Sequence, residues 1–419
     1  MPANVVRIPF EEAVSRLTSV LKVRKPTSVP VIDAIGCSLA SDIVAGWRLP
    51  RFDVSHMDGY AVRSEDLAGA SRDSPVVLRV QGMSRPDGLE PSMLEPGTCV
   101  RVLTGGRVPS GSDSVVAQEA VQRKGDEVSF TERVEPGSHI HGAGSDVREG
   151  ALLFRRGHVL NARDLSFLLA FGLPSVSVGL RLRVGVLASG NELVEGLGGP
   201  VEGKVIETNR MVLAEVLQAS GFLVEDLGLS RDDAGEIASH LKKGLGRCDA
   251  ILTTGGSSVS EADLVPDALR LLGGVEVFHG LLLRPSRTLG AFLSGEVPVF
   301  LLSGLIQGGV SAFFNMVYPA LRYMDGMGWE PLPSVKTTLS KGLDRREGEM
   351  FKLVTWVRLT ADQGRLMAEP IMSASMTRFV LTKANGFVVR DPGQSFKVGD
   401  MVDVRLPRGF GLEDALAGG

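Results

Sequence analysis

Residues 252–263 read Leu-Thr-Thr-Gly-Gly-Ser-Ser-Val-Ser-Glu-Ala-Asp and join an apolar run to a helical pattern. The run Asp249–Leu252 predicts a buried strand, and Ala262–Leu272 has the spacing of a helix. A strand that ends in a glycine-rich turn before a helix exposes several backbone N–H groups, which suits a phosphate or another oxyanion. Asp263 could then hold a metal ion or a substrate amine. A tight turn with a capping acid fits the same residues, so similar turns elsewhere must separate the two interpretations.

The segment around this turn alternates predicted strands with predicted helices. Polar turns follow predicted strands at Ser189–Glu192, Asp232, Gly255 and Gly304–Gly309. Such alternation predicts a mostly parallel sheet that is covered by helices on both faces. Ligands bind beyond the carboxyl ends of the strands in sheets of this kind. Because all these turns fall at such ends, the sequence predicts a binding site there.

The flanking segments have a different character. Phe10–Leu21 has helical spacing, and Val31–Ser41 predicts a second short helix. Short alternating runs between Gly46 and Asp146, and again after Pro333, predict β-rich domains. We therefore predict a multidomain α/β plus β fold. It has a central doubly wound, mostly parallel sheet, an inserted β-rich domain and a small C-terminal β-barrel-like domain.

The composition excludes several classes of partner. The 419 residues carry a net charge of −4 without a basic tract, so we expect neither nucleic acid nor a membrane as partner. Cys37, Cys99 and Cys248 are scattered without metal-ligand spacing, which is typical of a reducing compartment. The N-terminus lacks a signal-peptide pattern, and no apolar run reaches the length of a membrane span. We therefore expect a soluble, cytoplasmic protein.

Polar motifs stand out in the inserted β-rich segment. Asp53–Tyr60 contains two carboxylates, a hydroxyl and a histidine, and Thr104 begins a Thr-Gly-Gly turn at a predicted strand end. His139 and His141 could supply two ligands of a metal site, and they also fit an exposed loop. A loop of small residues then ends at Asp146. Hydroxyls and carboxylates at these turns are candidates for substrate contact.

Taken together, these motifs resemble the MoeA/gephyrin-E family, the molybdopterin molybdenumtransferases. The resemblance covers nearly the whole chain. Stretches of this sequence are similar to the family patterns DxSxMDGYA, TGxxxP, TGDEL and GGVSxGxxD, and a further stretch matches near the C-terminus. The matching stretches are Phe52-Asp-Val-Ser-His-Met-Asp-Gly-Tyr-Ala61, Thr104-Gly-Gly-Arg-Val-Pro109, Ser189-Gly-Asn-Glu-Leu193, Thr254-Gly-Gly-Ser-Ser-Val-Ser-Glu-Ala-Asp263 and Ala384-Asn-Gly386.

The resemblance implies four segments and a dimer. Residues 1–45 and 147–180 are predicted to form an elongated discontinuous linker and dimerisation domain, and residues 46–146 the inserted β-rich domain. Residues 181–328 are predicted to form the molybdopterin-binding α/β domain, and residues 329–419 the C-terminal β domain. The implied homodimer has an active site between the α/β domain of one subunit and the inserted and C-terminal domains of the other.

The implied reaction converts adenylylated molybdopterin and molybdate into molybdenum cofactor and AMP. An upstream molybdopterin adenylyltransferase is the implied partner that supplies the substrate. The pyrophosphate of that substrate suits glycine turns at strand ends. Carboxylates cannot bind an anionic oxyanion directly, but they can hold Mg²⁺, which polarises a pyrophosphate as it is cleaved. The resemblance therefore implies a magnesium-dependent transferase.

The motif matches also assign site residues. The implied catalytic residues are Asp58, Thr104, Asp146, Glu192, Asp232 and Asp263, of which Glu192 and Asp263 are the implied metal ligands. The implied contacts to the molybdopterin substrate are Gly190, Thr208, Asn209, Gly255, Gly256, Ser258, Arg284, Arg287 and Ser375. Each acid alone also fits a solvated turn or a helix cap, and Asp232, in an Arg-Asp-Asp run before a helix, fits a cap best.

Departures from the family pattern lie where the chemistry is expected. The family's basic segment aligns with Gly280–Thr288, in which Arg284 and Arg287 replace two lysines. A third lysine is lost at Gly280, unless a one-residue shift places His279 there. The family's Leu-Pro-Gly-Asn-Pro turn aligns with Leu305–Gly309, which lacks both prolines. Arginine keeps the positive charge and can bind an oxyanion with two donors.

Two functions stay open at this point. The retained acids favour a working transferase that uses molybdate or, alternatively, tungstate. The loss of the proline-containing turn favours a catalytically impaired paralogue that serves as a molybdopterin-binding dimer or scaffold. A nicotinamide-dependent oxidoreductase is not favoured, because no Gly-x-Gly-x-x-Gly motif follows the predicted strand Leu182–Ala188.

Overall fold

A computed structural model of the chain describes residues 6–89, 91–196, 199, 202–255, 264–344, 349–362, 365–371 and 379–411. The chain divides into two compact units. The first unit consists of Met1–Ala40, Gly157–Leu165 and Ser175–Gly419, and the second of Ser41–Arg156 and Ser166–Pro174. The predicted four-segment division stays a prediction.

The described helices are α1 Phe10–Val20, α2 Asp164–Ala170, α3 Asn209–Ala219, α4 Ala234–Leu245, α5 Leu264–Leu271, α6 Ile306–Ala312, α7 Tyr318–Met324 and α8 Phe379–Lys383. A π-helical turn, Phe313–Val317, joins α6 to α7. The strands up to residue 179 are β1 Thr27–Pro30, β2 Ser38–Leu39, β3 Ile43–Val44, β4 Val54–Ser55, β5 Gly59–Val62, β6 Val76–Ser84, β7 Thr98–Val102, β8 Ser114–Ala117, β9 Val121–Lys124, β10 Glu127–Phe130, β11 Ile140–His141, β12 Leu152–Phe154 and β13 Ser175–Gly179. The later strands are β14 Arg183–Ser189, β15 Leu193–Val194, β16 Val205–Ile206, β17 Leu223–Ser230, β18 Ala250–Thr254, β19 Val275–His279, β20 Leu283–Arg284, β21 Gly290–Ser294, β22 Val297–Leu302, β23 Ser334–Leu339, β24 Lys352–Asp362, β25 Arg365–Pro370, β26 Gly386–Arg390 and β27 Met401–Arg405.

The first unit contains a six-stranded sheet in the order β17-β14-β18-β22-β21-β19. Strands β17, β14, β18 and β22 are parallel, and β21 is antiparallel to both of its neighbours. Successive side chains of a strand point to opposite faces, so Val186 packs in the cluster that contains α3, whereas Leu187 packs with α4 and α5. The sheet is therefore covered on both faces, which confirms the predicted doubly wound, mostly parallel sheet.

A closed barrel forms the C-terminal part of the first unit. Strands β24, β25, β23, β27 and β26 pair in that order, and β26 pairs back onto β24. Closure leaves no unpaired edge in the ring. This confirms the predicted β-barrel-like domain.

The second unit is β-rich. Its main sheet has the order β8-β5-β7-β6-β10-β9, and two short ladders pair β11 with β4 and β12 with β3. Tyr60, Leu78 and Phe130 lie in its core. The inserted β-rich domain predicted from the alternating runs is confirmed.

The first predicted helix is confirmed as α1, but the predicted helix over Val31–Ser41 is wrong. Only Val31–Asp33 forms a 3-10 turn, because Gly36 adopts a φ of 81° and Ser38–Leu39 then joins β13 as strand β2. A positive φ ends a helical path and favours glycine. Within the described ranges, the longest and most apolar helices fall short of what a bilayer crossing needs.

Candidate functional site

The carboxyl ends of β14 and β17 are joined by a reciprocal pair of hydrogen bonds. The Asn191 N–H donates to Asp232 Oδ2, and the Asp232 N–H donates to Asn191 Oδ1, both at 3.1 Å. The two turns belong to neighbouring parallel strands, so their polar side chains meet at one edge of the sheet. The family pattern has an aspartate at the position of Asn191. The side-chain oxygen of Asn191 accepts the Asp232 N–H, and this side chain carries no charge.

Glu192 lies over Gly190 at the same edge. A Cβ placed on Gly190 would lie 2.9 Å from Glu192 Oε2, so glycine at this position leaves room for the carboxylate. The backbone of Glu192 is held by a ribbon of two short parallel strands, β15 and β16, in which the Val205 N–H donates to the Glu192 carbonyl at 2.8 Å. Glu192 is thus exposed at the carboxyl edge of the sheet.

Asn209 ties the carboxyl ends of the two central strands together. Its Nδ2 donates to the Gly304 carbonyl at 2.7 Å, after β22, and to Thr254 Oγ1 at 3.3 Å, in β18. Gly255 has a φ of 85°, and a Cβ placed on it would lie 2.1 Å from the Ser189 carbonyl oxygen. Only glycine fits where the two strand ends approach this closely. Four strand ends therefore meet at one place.

At both helix starts beside this edge an acid other than Asp232 accepts a backbone N–H, which corrects the interpretation of Asp232 as a cap. The Asp233 carboxylate, and not that of Asp232, caps α4 by accepting the Glu236 N–H at 2.8 Å. Asp232 is therefore available at the site and is not a helix cap. At α3 the Thr208 side chain makes no capping hydrogen bond, and Glu207 Oε1 accepts the Arg210 N–H at 2.8 Å instead.

The basic segment packs against the start of α6. Ser286 Oγ donates to the Gly308 carbonyl at 2.9 Å, and a Cβ on Gly308 would lie 2.9 Å from the Pro285 carbonyl oxygen. The N–H groups of Gly308 and Gly309 donate to the Leu305 carbonyl at 2.9 and 3.0 Å. They therefore do not project toward a ligand, because the loop predicted there is the first turn of a helix. The segment that contains Arg284 and Arg287 and the turn that lacks the family's prolines are therefore in contact.

The two arginines of this segment are both exposed. The guanidinium carbon of Arg284 lies 4.1 Å from the centre of the Phe351 ring, a stacking that orients the group but leaves its edge for an anion. Neither Arg284 nor Arg287 forms an ion pair with a described carboxylate. Burial lowers the pKa of His279, so a neutral imidazole at pH 7 does not replace the lysine charge that is missing at Gly280.

In the second unit, Asp58 is bound by Thr104. Asp58 Oδ1 accepts both the N–H and the Oγ1–H of Thr104 at 2.8 Å. These two hydrogen bonds favour the charged form and hold the pKa of Asp58 below its ordinary value. The Gly105 N–H donates to the Ser55 carbonyl at 2.8 Å, which fixes the turn against the loop that carries Asp58. Two motifs far apart in sequence thus form one carboxylate–hydroxyl pair.

Asp146 lies beside the histidines of the second unit. Its Oδ1 is 3.3 Å from Nε2 of His141, whose ring centre lies 6.0 Å from that of His56. His139 has a φ of 56° and accepts the His56 N–H through its carbonyl oxygen. Over the described ranges no three His, Cys, Asp or Glu side chains are arranged to hold a metal ion. Among these histidines, His141 contacts Asp146, and the described residues here do not form a preassembled metal site.

Four predicted site residues lie outside the described residues: Gly256, Ser258, Asp263 and Ser375. A cavity of about 1000 Å³ runs along α3 in the first unit and is lined by Thr208 and Arg210. Its described lining does not contain Glu192, Asp232 or Gly255, so we place the candidate site at the strand ends and not in this cavity.

Sequence reasoning missed Glu207 and Arg210. The Arg210 guanidinium contacts the carboxylates of Glu195, Glu207 and Asp226. Their spacing matches no motif, because the three acids come from different elements. The signal present was an acid, Glu207, two residues before the helix start at Asn209, where it could accept a backbone N–H.

Three family models match successive parts of the chain. The MoeA N-terminal region (domain I and II) matches residues 8–172, a probable molybdopterin binding domain matches residues 185–323, and the MoeA C-terminal region (domain IV) matches residues 344–406. The matches follow one another in order along most of the chain.

Curated and solved proteins are similar over most of their length. Molybdopterin molybdenumtransferase 2 of Mycobacterium tuberculosis is 30% identical over 340 residues, which is 80% of this chain and 84% of that protein. The molybdopterin molybdenumtransferase of Bacillus subtilis is 29% identical over 96% of this chain and 94% of its own. The crystal structure of the molybdopterin biosynthesis MoeA protein of Pyrococcus horikoshii has a TM-score of 0.74 and 27% identity, covering 96% of this chain and 100% of its own.

Proposed function

This chain belongs to the MoeA family of molybdopterin biosynthesis proteins, and on that premise we propose that it inserts molybdate into adenylylated molybdopterin with release of AMP. The protein is a molybdopterin molybdenumtransferase of molybdenum cofactor biosynthesis. The observation that supports the site of this reaction is the meeting of four strand ends through Asn191–Asp232 and through Asn209.

The scaffold function is not favoured. Relatives with 27–31% identity over most of the chain are transferases, although they differ from this chain at most positions. The altered turn at Leu305–Gly309 is part of a packed helix start, so its loss of prolines is accommodated by the fold. We therefore propose that the protein is an active transferase. Comparison of AMP release with molybdate and with tungstate identifies its oxyanion.

We propose that the edge formed by Gly190, Asn209 and Gly255 receives the molybdopterin and pyrophosphate of the substrate. Glu192, with Asp263, would hold Mg²⁺, which neutralises the pyrophosphate charge as AMP leaves. Mg²⁺ commonly takes one or two carboxylates and completes its shell with water and substrate phosphates. The exposed Glu192 carboxylate, which follows the Asn191 that pairs with Asp232, fits this pattern. Three preassembled protein ligands are not required.

We propose that Arg284 and Arg287 bind the oxyanion or the substrate phosphate. Both are exposed and lie in the segment that packs on the start of α6 through Ser286. Arginine presents paired donors that match a tetrahedral oxyanion. We further propose that Asp58, Thr104 and Asp146 contact the substrate from the second unit, in a homodimer whose active site spans the subunit interface.

The chemistry of the substrate implies a preceding enzyme. Adenylylated molybdopterin carries a phosphoanhydride, so a molybdopterin adenylyltransferase must form it before this protein can act. Among the described residues the three cysteines are unpaired, which supports our proposal that the reaction takes place in the reducing cytoplasm.

Turnover of the purified protein tests the proposed function. We expect AMP release from adenylylated molybdopterin when Mg²⁺ is present with molybdate or tungstate in separate reactions. Glu192→Gln should lower the rate by at least about 10-fold, because it removes a charge from the proposed Mg²⁺ site. Asp267→Asn, which changes an exposed acid of α5, serves as the matched control and should leave the rate unchanged.

Two results would contradict the proposal. Tight binding of the substrate without AMP release, with both oxyanions, would reinstate the scaffold function. An unchanged rate and Mg²⁺ dependence in folded Glu192→Gln would remove Glu192 from the site.

A further inference from the structure

Arg210 joins three carboxylates from three elements of the first unit. Its guanidinium lies 2.5 Å from Glu195, which follows β15, and 3.6 Å from Glu207, which follows β16, and it also pairs with Asp226 in β17. The Arg210 side chain is only 11% exposed. The surrounding acids raise the pKa of Arg210 although burial opposes this, so the charge persists. A largely buried cation thus holds the ribbon β15–β16 against the sheet.

Glu207 depends on this cation. Its side chain is 2% exposed, and its Oε1 accepts the Arg210 N–H. Its Oε2 is buried and has no hydrogen bond, so the Arg210 guanidinium is the compensating charge next to it. A buried carboxylate without a partner is strongly unfavourable. Removal of Arg210 would therefore leave the buried Glu207 carboxylate without its compensating charge and force the end of β16 to rearrange.

The same ribbon carries Glu192. The Val205 N–H donates to the Glu192 carbonyl at 2.8 Å, and the Glu207 N–H donates to the Val194 carbonyl at 2.9 Å. Lys204 Nζ adds a third link by donating to the Asn191 carbonyl at 2.8 Å. Glu192 thus precedes a ribbon whose two strands are each followed by an acid that contacts Arg210, Glu195 after β15 and Glu207 after β16. Displacement of the ribbon would move the Glu192 backbone.

Asn209, which precedes Arg210 in α3, contacts the carboxyl edge of the sheet. Asn209 donates to Thr254 and Gly304, so the first turn of α3 contacts the site through Asn209 and the ribbon anchor through Arg210. We propose that Arg210 is a positioning residue for the known reaction, which holds Glu192 and Asn209 where Mg²⁺ and the substrate pyrophosphate bind. It acts through these residues and does not contact the substrate. The inference rests on the proposed function of Glu192.

The test replaces Arg210 with a neutral side chain of similar length. In Arg210→Met we expect the Mg²⁺ concentration for half-maximal AMP release to rise about 10- to 100-fold, the range typical of outer-shell residues. The KM for adenylylated molybdopterin at saturating Mg²⁺ should rise less, because Asn209 keeps its own hydrogen bonds to Thr254 and Gly304 whereas Glu192 depends on the ribbon. Hydrogen exchange of the Val205 and Glu207 amides should become faster, whereas that of β18 should not.

A second variant separates positioning from folding. Arg210→Met with Glu207→Gln removes the uncompensated buried charge, so we expect it to regain the thermal stability of the parent. It should keep the raised Mg²⁺ requirement, because Glu195 and Asp226 still lack their anchor. Arg270→Met is the matched control, because Arg270 also contacts two carboxylates, Asp267 and Glu276, but is 56% exposed and lies on α5.

The outcomes distinguish this inference from the proposed function. Parent-like Mg²⁺ dependence and parent-like exchange at Val205 and Glu207 in folded Arg210→Met would overturn the positioning role. The same rise in Mg²⁺ requirement in Arg270→Met would overturn it too, because the effect would then follow from charge alone. If the parent itself releases no AMP, the proposed function fails, and the exchange measurement still decides whether Arg210 holds the ribbon.

Discussion

At the scale of single residues, the candidate site depends on side chains whose partners lie far away in sequence. Asp58 receives two hydrogen bonds from Thr104, 46 positions later, and Asn191 and Asp232 exchange hydrogen bonds across 41 positions. In each pair a carboxylate accepts a backbone N–H from a turn that is distant in sequence. The Asp58 and Asp232 carboxylates are thus each held in place by the backbone of another turn.

The Asp58–Thr104 pair gives a prediction on pH dependence. The pKa of Asp58 is lowered below its ordinary value of 3.8, so its hydrogen bonds stabilise the folded state above pH 3.8. This contribution is lost as the pH falls through the lower pKa of the folded state. Thr104→Val removes the hydroxyl donor, so we expect it to raise the pKa of Asp58 and to lower stability at pH 7 but not in acid below both pKa values.

An NMR titration of Asp58 and urea unfolding at pH 7 and in acid would measure both effects. Thr104→Ser keeps the donor and is the control that should titrate like the parent. An Asp58 pKa that is the same in Thr104→Val and the parent would show that the hydroxyl contributes nothing.

At the scale of elements, the π-helical turn Phe313–Val317 lies between α6 and α7 and contacts the barrel. An extra residue in a helical turn changes which side chains point to a neighbour. Asn315, in this turn, is 2% exposed, and its Oδ1 accepts a hydrogen bond from Arg405 of β27 at 3.2 Å. Burial lowers the pKa of Arg405, although Asp403 opposes this. The turn therefore supplies an oxygen acceptor to a half-buried cation.

Replacement of Asn315 tests this link. Asn315→Leu should lower the free energy of unfolding by about 2 kcal/mol, because a hydrogen bond to a charged group is lost in a buried place. Urea unfolding measures the change. Asn315→Asp keeps the oxygen acceptor and should be the milder variant, and equal loss in both variants would contradict the role of the acceptor.

At the scale of the whole molecule, the chain forms two compact units that are each built from separate segments. Each unit has its own core, with Phe300 and Trp356 in the first and Tyr60 and Phe130 in the second. Buried cysteines are present in both, with Cys37 and Cys248 in the first unit and Cys99 in the second. Thiol reactivity can therefore report the opening of each unit separately.

We predict that the thiols are unreactive in the native protein. Burial raises the pKa of Cys99 to about 12 and that of Cys248 to about 11, and it also raises the pKa of Cys37. Since the thiolate is the reactive form, alkylation at pH 8 should be roughly 100-fold or more slower than in the unfolded chain. Mass spectrometry of iodoacetamide-labelled protein in increasing urea measures this, and rapid labelling of Cys99 without urea would contradict the buried core of the second unit.

Much of the fold follows from local pattern. The spacing of apolar residues predicts α1, the alternation of strands and helices predicts the doubly wound sheet, and the glycine turn after Ala250–Thr254 marks its carboxyl edge. These features repeat over a few residues, so a short stretch is enough to encode them. The motifs of residues 52–61, 104–109 and 189–193 likewise identify the family without any knowledge of contacts.

The remaining features arise from contacts between distant segments. Local spacing favours a helix over Val31–Ser41, but pairing of Ser38–Leu39 with β13 overrides it. The sequence favours Asp232 as a helix cap, but Asp232 accepts the Asn191 N–H of the neighbouring turn and Asp233 caps α4. Arg210 matches no motif, because its partners come from three elements that meet only after folding. Local propensity can specify a turn or a helix, whereas the partner of a buried charge depends on which strands become neighbours.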